Sequence, residues 1–113
     1  MSVEIEPTQP EWSTPTKVKS LLTNRVGGFS KNEFSSFNLA THVGDDVESV
    51  QKNRELLANY LPSNPIWLNQ VHGIEVFNAV DLINSDVVPT ADAIVTNKSK
   101  QVLAILTADC VPI

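Results

Sequence analysis

At 113 residues the chain suits one domain at most, and its hydrophobic fraction of 42% and charged fraction of 19% are those of an ordinary globular protein. Its net charge of −5, with eight scattered Lys and Arg residues, excludes a general nucleic-acid or anionic-membrane binder, because phosphate-rich surfaces need a basic face. One cysteine allows no intrachain disulfide, and neither a signal-peptide core nor an apolar run near the roughly 20 residues of a membrane span occurs, so a cytoplasmic location is expected.

Residues 1–16 are rich in Pro, Glu, Ser and Thr and read as a loose leading segment. Val18 to Thr23 (VKSLLT) predicts a short strand, Asn24 to Ser30 (NRVGGFS) a Gly-Gly turn, and Phe34 to Leu39 a second short apolar stretch. Asp45 and Asp46 then mark a helix start, since an aspartate caps the free N–H groups of a first turn and suits the positive helix end. Val47, Val50, Arg54, Leu57 and Leu61 follow at helical spacing, with Arg54 interrupting the stripe, and Pro62 and Pro65 end it. Ile66 to Leu68 and Glu75 to Ala79 predict strands on either side of NQVHG. Ala93 to Thr96 and Val102 to Leu106 predict a hairpin, its second strand apolar enough for the centre of a sheet. The fold class these elements give is α+β or α/β, strand-rich, with one firm helix.

Chemistry rests on scarce residues. Gly27–Gly28 lacks the strand-to-helix setting of a phosphate loop and reads as a tight turn. His72 lies at a strand end before Gly73, whose freedom lets the backbone turn sharply. Cys110 follows the apolar stretch Val102–Leu106, at the strand end where sheet proteins place ligands. Imidazole plus thiolate suits zinc or reduced copper. The same pair suits a nucleophile and general base, and equally a buried free thiol with a structural histidine. Spacing alone leaves these open. The chain stops at TADCVPI, an apolar ending where termini are usually polar, so more protein is expected after Ile113.

The segments TNRVGGFSKNEFSSFNLATHVGDDVESVQKNRELL, WLNQVHGIEVF, ADAIVTN and LTADCVPI resemble, in this order, the YfiH-like family. Its members go by the names multicopper polyphenol oxidase or laccase-like protein, peptidoglycan editing factor and purine nucleoside phosphorylase. The likeness runs from about Leu21 to Ile113. It implies a layered α/β/β/α sandwich of the type shared with cytotoxic necrotising factors, of which residues 1–113 are the N-terminal part of a single domain. It implies a zinc site with His72 and Cys110 as two of three protein ligands, the third being a histidine of a later HAGWRG-like motif. It draws attention to Arg25 as a grip for phosphate or a substrate carboxylate, to Asn38 as an orienting group, and to His42 as an acid–base or supporting group. Gln70 is placed near the site by adjacency, while Asp109 and Asp92 either bond backbone or touch substrate.

The function so implied is a zinc-dependent purine nucleoside phosphorylase with adenosine deaminase activity, taking purine nucleosides and phosphate. Alternatives are a copper-dependent polyphenol oxidase and a cysteine hydrolase with Cys110 as nucleophile and His72 as base. Peptidoglycan editing is a biological role that the sequence does not separate from the nucleoside activity. An incomplete domain should leave an apolar edge or face uncovered, favouring self-association or pairing with the remaining half.

Overall fold

The computed structural model describes residues 4–11, 15, 17–82 and 87–107. The fold is mixed α+β, and the chain divides into two compact units, Met1–Leu57 and Ala58–Ile113.

The first unit is organised by helix α1 (Val47–Ala58). It starts where the aspartates predict. The Asp46 carboxylate accepts the Ser49 N–H at 3.3 Å, the bond of an N-cap, and the Asp46 carbonyl accepts the Val50 N–H at 3.1 Å. Val50 and Leu57 are buried as the spacing requires, alongside Ile5, Phe37 and Leu39, but Val47 is 78% exposed. The centre of the buried helix face is polar: Asn53 is fully buried. Its Oδ1 accepts the Phe29 N–H at 2.7 Å, and its Nδ2 donates to Ser30 Oγ and to the Asn38 carbonyl, both at 2.8 Å. One amide thus satisfies two loops that form no ladder with each other. Arg54 donates from Nε to the Leu39 carbonyl at 2.8 Å.

The short strand expected at Val18 to Thr23 does not form a ladder, and neither does the apolar stretch Phe34 to Leu39. Leu22 makes a single antiparallel bridge with Thr8. Residues 32–34 form a 3-10 turn, after which the Ser36 and Phe37 N–H groups turn to the Arg25 carbonyl. Phe37 and Leu39 alternate inward as strand residues would, but backbone groups around them pair with Arg25 and with the Asn53 side chain. The Gly-Gly turn is confirmed. Gly28 has φ +86°, and a Cβ there would lie 2.6 Å from Asn53 Oδ1 and 2.8 Å from both the Phe37 ring and the Ser36 carbonyl.

The second unit holds strands β1 (Pro65–Ile66), β2 (Val76–Asn78), β3 (Ala93–Val95) and β4 (Val102–Leu103). The predicted β3–β4 hairpin does not form. Instead β1 pairs with β4 and β2 with β3, both in parallel. Parallel strands need a long crossover, and residues 79–92 supply it between β2 and β3. The connection 96–101 is longer than the usual hairpin loop of about two to five residues. It is held by its own bonds: Thr96 Oγ1 to the Gln101 side chain, the Lys98 N–H to Thr96 Oγ1 at 3.0 Å, and Ser63 Oγ to the Lys100 carbonyl at 2.6 Å. The Ser63 bond carries β4 to the neighbourhood of β1. Strand β4 is also not central: among the described residues it has one partner, its side chains are half-buried, and Ile105 beyond it is exposed.

Asn53 and Gly28 form one packed contact, so two substitutions there test the same constraint. Asn53→Leu strands several buried polar groups, and Gly28→Ala forces a side chain into a left-handed residue with no space. Each is expected to lower the unfolding free energy by about 2–4 kcal/mol, read from denaturant titration.

Candidate functional site

His72 sits on a loop that the strand register expels. Asn69 bridges Thr90 in parallel, and Val76 pairs with Ala93 in β2–β3. Between these two points the chain advances seven positions, 69 to 76, while its partner advances three, 90 to 93. The excess leaves the sheet as a loop. Backbone bonds close it at both ends: Asn69 donates to the Pro89 carbonyl at 2.7 Å and accepts from Ala91 at 3.2 Å, and Asp92 donates to the Glu75 carbonyl at 3.1 Å. Val71, His72, Gly73 and Ile74 are all exposed, Ile74 by 94%.

The Asp92 carboxylate fills the inside of this loop. Oδ1 accepts the N–H groups of His72 at 2.8 Å and Val71 at 3.1 Å, and Oδ2 accepts that of Gly73 at 2.8 Å. Successive N–H groups converging on one anion form a nest. The Gly73 N–H bond, foremost, holds the Asp92 carboxyl below its ordinary range. Partial burial opposes that, and the His72 and Val71 N–H bonds and the nearby imidazole reinforce it. The sharp turn falls on His72, with φ +63°, and not on Gly73 as the sequence suggests. A left-handed backbone at a residue with a Cβ costs about 1–3 kcal/mol and persists only when neighbours impose it. Here the nest imposes it. Gly73 is dispensable by comparison: a Cβ there would come 3.4 Å from Asp92 Oδ2, an ordinary contact.

Gln70, placed near the site only by adjacency, has a defined task. Its Nε2 donates to the Leu106 carbonyl at 3.0 Å, and its Oε1 accepts the Leu106 N–H at 2.8 Å. The amide imitates a strand partner and ties the His72 segment to the stretch that precedes Cys110 in sequence. Cys110 and Asp109 themselves lie outside the described residues. Among the described residues no group of three or more His, Cys, Asp or Glu is arranged to hold a metal, so His72 is the one proposed ligand that the structure describes.

The remaining candidates belong to the first unit. Arg25 is exposed; its Nε donates to the Ser35 carbonyl at 2.9 Å, while its terminal nitrogens make no hydrogen bond among the described residues. Asn38 works on its own loop, with Oδ1 accepting the Ala40 N–H at 3.1 Å and Nδ2 donating to Asp45 Oδ2 at 3.2 Å. His42 is exposed on the following bend. Asp45, expected only as a helix-start residue, accepts Ser30 Oγ at 2.6 Å and the Asp46 N–H at 2.7 Å. Burial pushes its carboxyl up, but the bonds from Ser30, Asn38 and the Asp46 backbone outweigh it and hold the carboxyl below its ordinary value. Asn53 and Asp92 are the residues whose importance the sequence understates. The only sequence signal for Asp92 is its place just before the predicted strand Ala93 to Thr96.

The chain matches the family described as multi-copper polyphenol oxidoreductase laccase over residues 19–113. It is 40% identical over 103 residues to a purine nucleoside phosphorylase of Pseudomonas aeruginosa, covering 91% of this chain and 41% of that protein. It is 39% identical over 106 residues to the purine nucleoside phosphorylase YfiH of Escherichia coli, covering 92% and 43%. A crystal structure of a Neisseria meningitidis protein superposes with a TM-score of 0.82 at 40% identity, over 92% of this chain and 42% of that one. YlmD from Geobacillus stearothermophilus superposes at 0.70 and 30% identity, over 81% and 38%. The chain therefore spans about two fifths of the length of these relatives.

Two outcomes check this description. Gly73→Ala should leave the unfolding free energy within about 0.5 kcal/mol of the parent, since it creates neither clash nor left-handed strain. The Asp45 contribution should depend on pH in a defined direction. Its folded-state pKa is depressed, so the stabilisation is complete above the ordinary aspartate range near about 3.9 and is lost as pH falls through the folded value below it. The stability difference between the parent and Asp45→Asn should accordingly shrink on acidification, as followed by denaturant titration across that range.

Proposed function

The chain belongs to the multi-copper polyphenol oxidoreductase laccase family, and from that premise we propose that the protein is a zinc-dependent purine nucleoside phosphorylase, with adenosine deamination as a second activity. The observation that carries the reading is identity of about 40% to curated purine nucleoside phosphorylases across nine tenths of this chain. The donor set is compatible with the metal. A neutral imidazole and a thiolate are among zinc's preferred ligands, and His72 is presented to solvent on a rigidly held loop. His72 and Cys110 would hold the ion, with a further ligand to complete a catalytic set of three. Bound zinc supplies Lewis acidity at the reacting centre.

The chain's own residues have distinct tasks in phosphorolysis. Phosphate attacks the anomeric carbon, the glycosidic C–N bond breaks, and the purine departs with a proton. Arg25 holds the phosphate: Nε is anchored on the Ser35 carbonyl, which orients the planar guanidinium and leaves its terminal nitrogens for two oxyanion contacts. His42, exposed on its bend, is the candidate proton donor to the departing base. Gln70 and Asn38 bond backbone on their loops and act by holding them.

Copper-dependent phenol oxidation has the family's description in its favour. Passing four electrons to oxygen requires a histidine-rich copper cluster, and this chain carries two histidines, His42 and His72. A cysteine hydrolase using Cys110 with His72 as base makes a separate demand, namely activity that survives chelation.

Full-length protein loaded with zinc should release hypoxanthine from inosine only when phosphate is present, and His72→Ala should lower kcat/KM by at least about 100-fold with the fold intact. No release from zinc-loaded protein would reject the phosphorylase reading. Retained activity after chelation would favour the hydrolase, and copper-dependent oxygen uptake the oxidase.

A further inference from the structure

We propose that Asp92 is the positioning residue of the His72 loop: its carboxylate sets the backbone of Val71, His72 and Gly73 and so aims the imidazole, without itself touching metal or substrate. As a statement about a metal ligand it rests on the zinc reading above.

The geometry separates this role from two others. A carboxylate that serves as a metal ligand needs an oxygen facing outward with a free lone pair. Both Asp92 oxygens are instead turned into the loop, one to the N–H groups of His72 and Val71, the other to that of Gly73. A carboxylate that supports a ligating histidine in the usual way accepts the second ring N–H of the imidazole. Asp92 acts one step further back, on the peptide units that fix where the Cα–Cβ bond of His72 points. That bond departs from a left-handed residue, φ +63°, in a loop whose residues 71–75 are exposed. His72 is exposed, so among the described residues the backbone has the main control of the imidazole's direction. Asp92 is itself fixed, because its N–H is bonded to the Glu75 carbonyl and the strand β3 begins at the next residue. The carboxylate therefore transfers the position of the sheet to the loop. A side chain one methylene longer would push the nest outward, and an amide would offer one acceptor for three donors.

Full-length Asp92→Asn and Asp92→Ala proteins test this with two readouts besides activity. The first is amide hydrogen exchange of Val71, His72 and Gly73, against Phe77 and Ile94 as reference amides in β2 and β3. The second is affinity for zinc, measured by competition with a chromophoric chelator. In Asp92→Ala the three loop amides should exchange at least about 10-fold faster while the reference amides hold, and zinc affinity should fall about 10- to 100-fold, the range typical of lost support to a metal-bound histidine. Asp92→Asn should fall between parent and Ala, and it serves as the test if Ala does not fold. Unchanged loop exchange would overturn the proposal. So would a loosened loop with zinc affinity within twofold of the parent, because that describes a merely structural carboxylate. If the parent protein itself takes up no zinc, the metal reading fails, and the exchange measurement alone decides whether Asp92 sets the loop.

Discussion

A carboxylate inside a loop of its own chain is the constraint on which the candidate site depends. Asp92 gathers three consecutive N–H groups, those of Val71, His72 and Gly73, on one carboxylate. Without an internal acceptor those groups would look to water, and nothing would hold a histidine in the left-handed region. The cost of that backbone is local, and its compensation comes from a charged acceptor, which makes stronger bonds to N–H than a neutral oxygen does. His72 is thus an exposed residue kept in an uncommon backbone conformation by one dedicated partner.

The first unit uses the same device with a neutral group. Asn53 is buried at the middle of α1 and satisfies Phe29, Ser30 and Asn38 from one amide. Where chain segments meet without a ladder, a single polar side chain supplies the donors and acceptors that a strand would have offered. Gly28 then has no side chain because Asn53, Phe37 and the Ser36 carbonyl occupy the space one would need. Gln70 repeats the pattern across residues 70 and 106, its amide standing in for one strand pair. Three side-chain amides and carboxylates thus replace regular sheet at three places. The loops they fix are those that carry Arg25, His72 and the approach to Cys110.

This explains which parts could be read from sequence. Helix α1 was legible because its signals are local: an aspartate at the cap, Val50 and Leu57 at helical spacing, prolines beyond the end. Strand-forming segments were legible as segments, but their partners were not. Two apolar runs separated by NKSK look like a hairpin, yet each pairs with an earlier strand, a choice made by contacts from Ser63 and the 69–75 region that no local pattern encodes. The sequence points to a turn at NQVHG on Gly73, and the structure puts the left-handed residue at His72. Glycine is the usual owner of a left-handed backbone, and only the distant carboxylate moves that conformation to His72. Asn53 was invisible for a related reason: in sequence it is one polar position on an amphipathic helix, and its burial follows from loops far along the chain. His72 stands out as one of two histidines, placed at a strand end, and the resemblance of NQVHG adds its expected role as a ligand; the chain does belong to that family.

The register of the second unit links fold to site more tightly than the residue list alone suggests. A parallel pairing that is resumed after unequal advances on its two sides must eject the surplus, and it ejects it at a fixed place. The ejected residues include the histidine; the residue facing the gap, Asp92, is the one whose side chain can fill it. Position and support for the loop therefore come from one register, so a slip of β3 against β2 would remove both together and also reverse which faces of the strands are apolar. On the present register Phe77 and Ile94 are half-buried on one face, whereas Val76 and Val95 are exposed on the other, continuing from Ile74. Ile74, Val76 and Val95 thus form an exposed apolar flank beside the histidine loop. Covering this flank would lower the dielectric beside His72. The electrostatic grip of Asp92 on the three N–H groups would then strengthen, because charge–dipole interactions grow as water is removed.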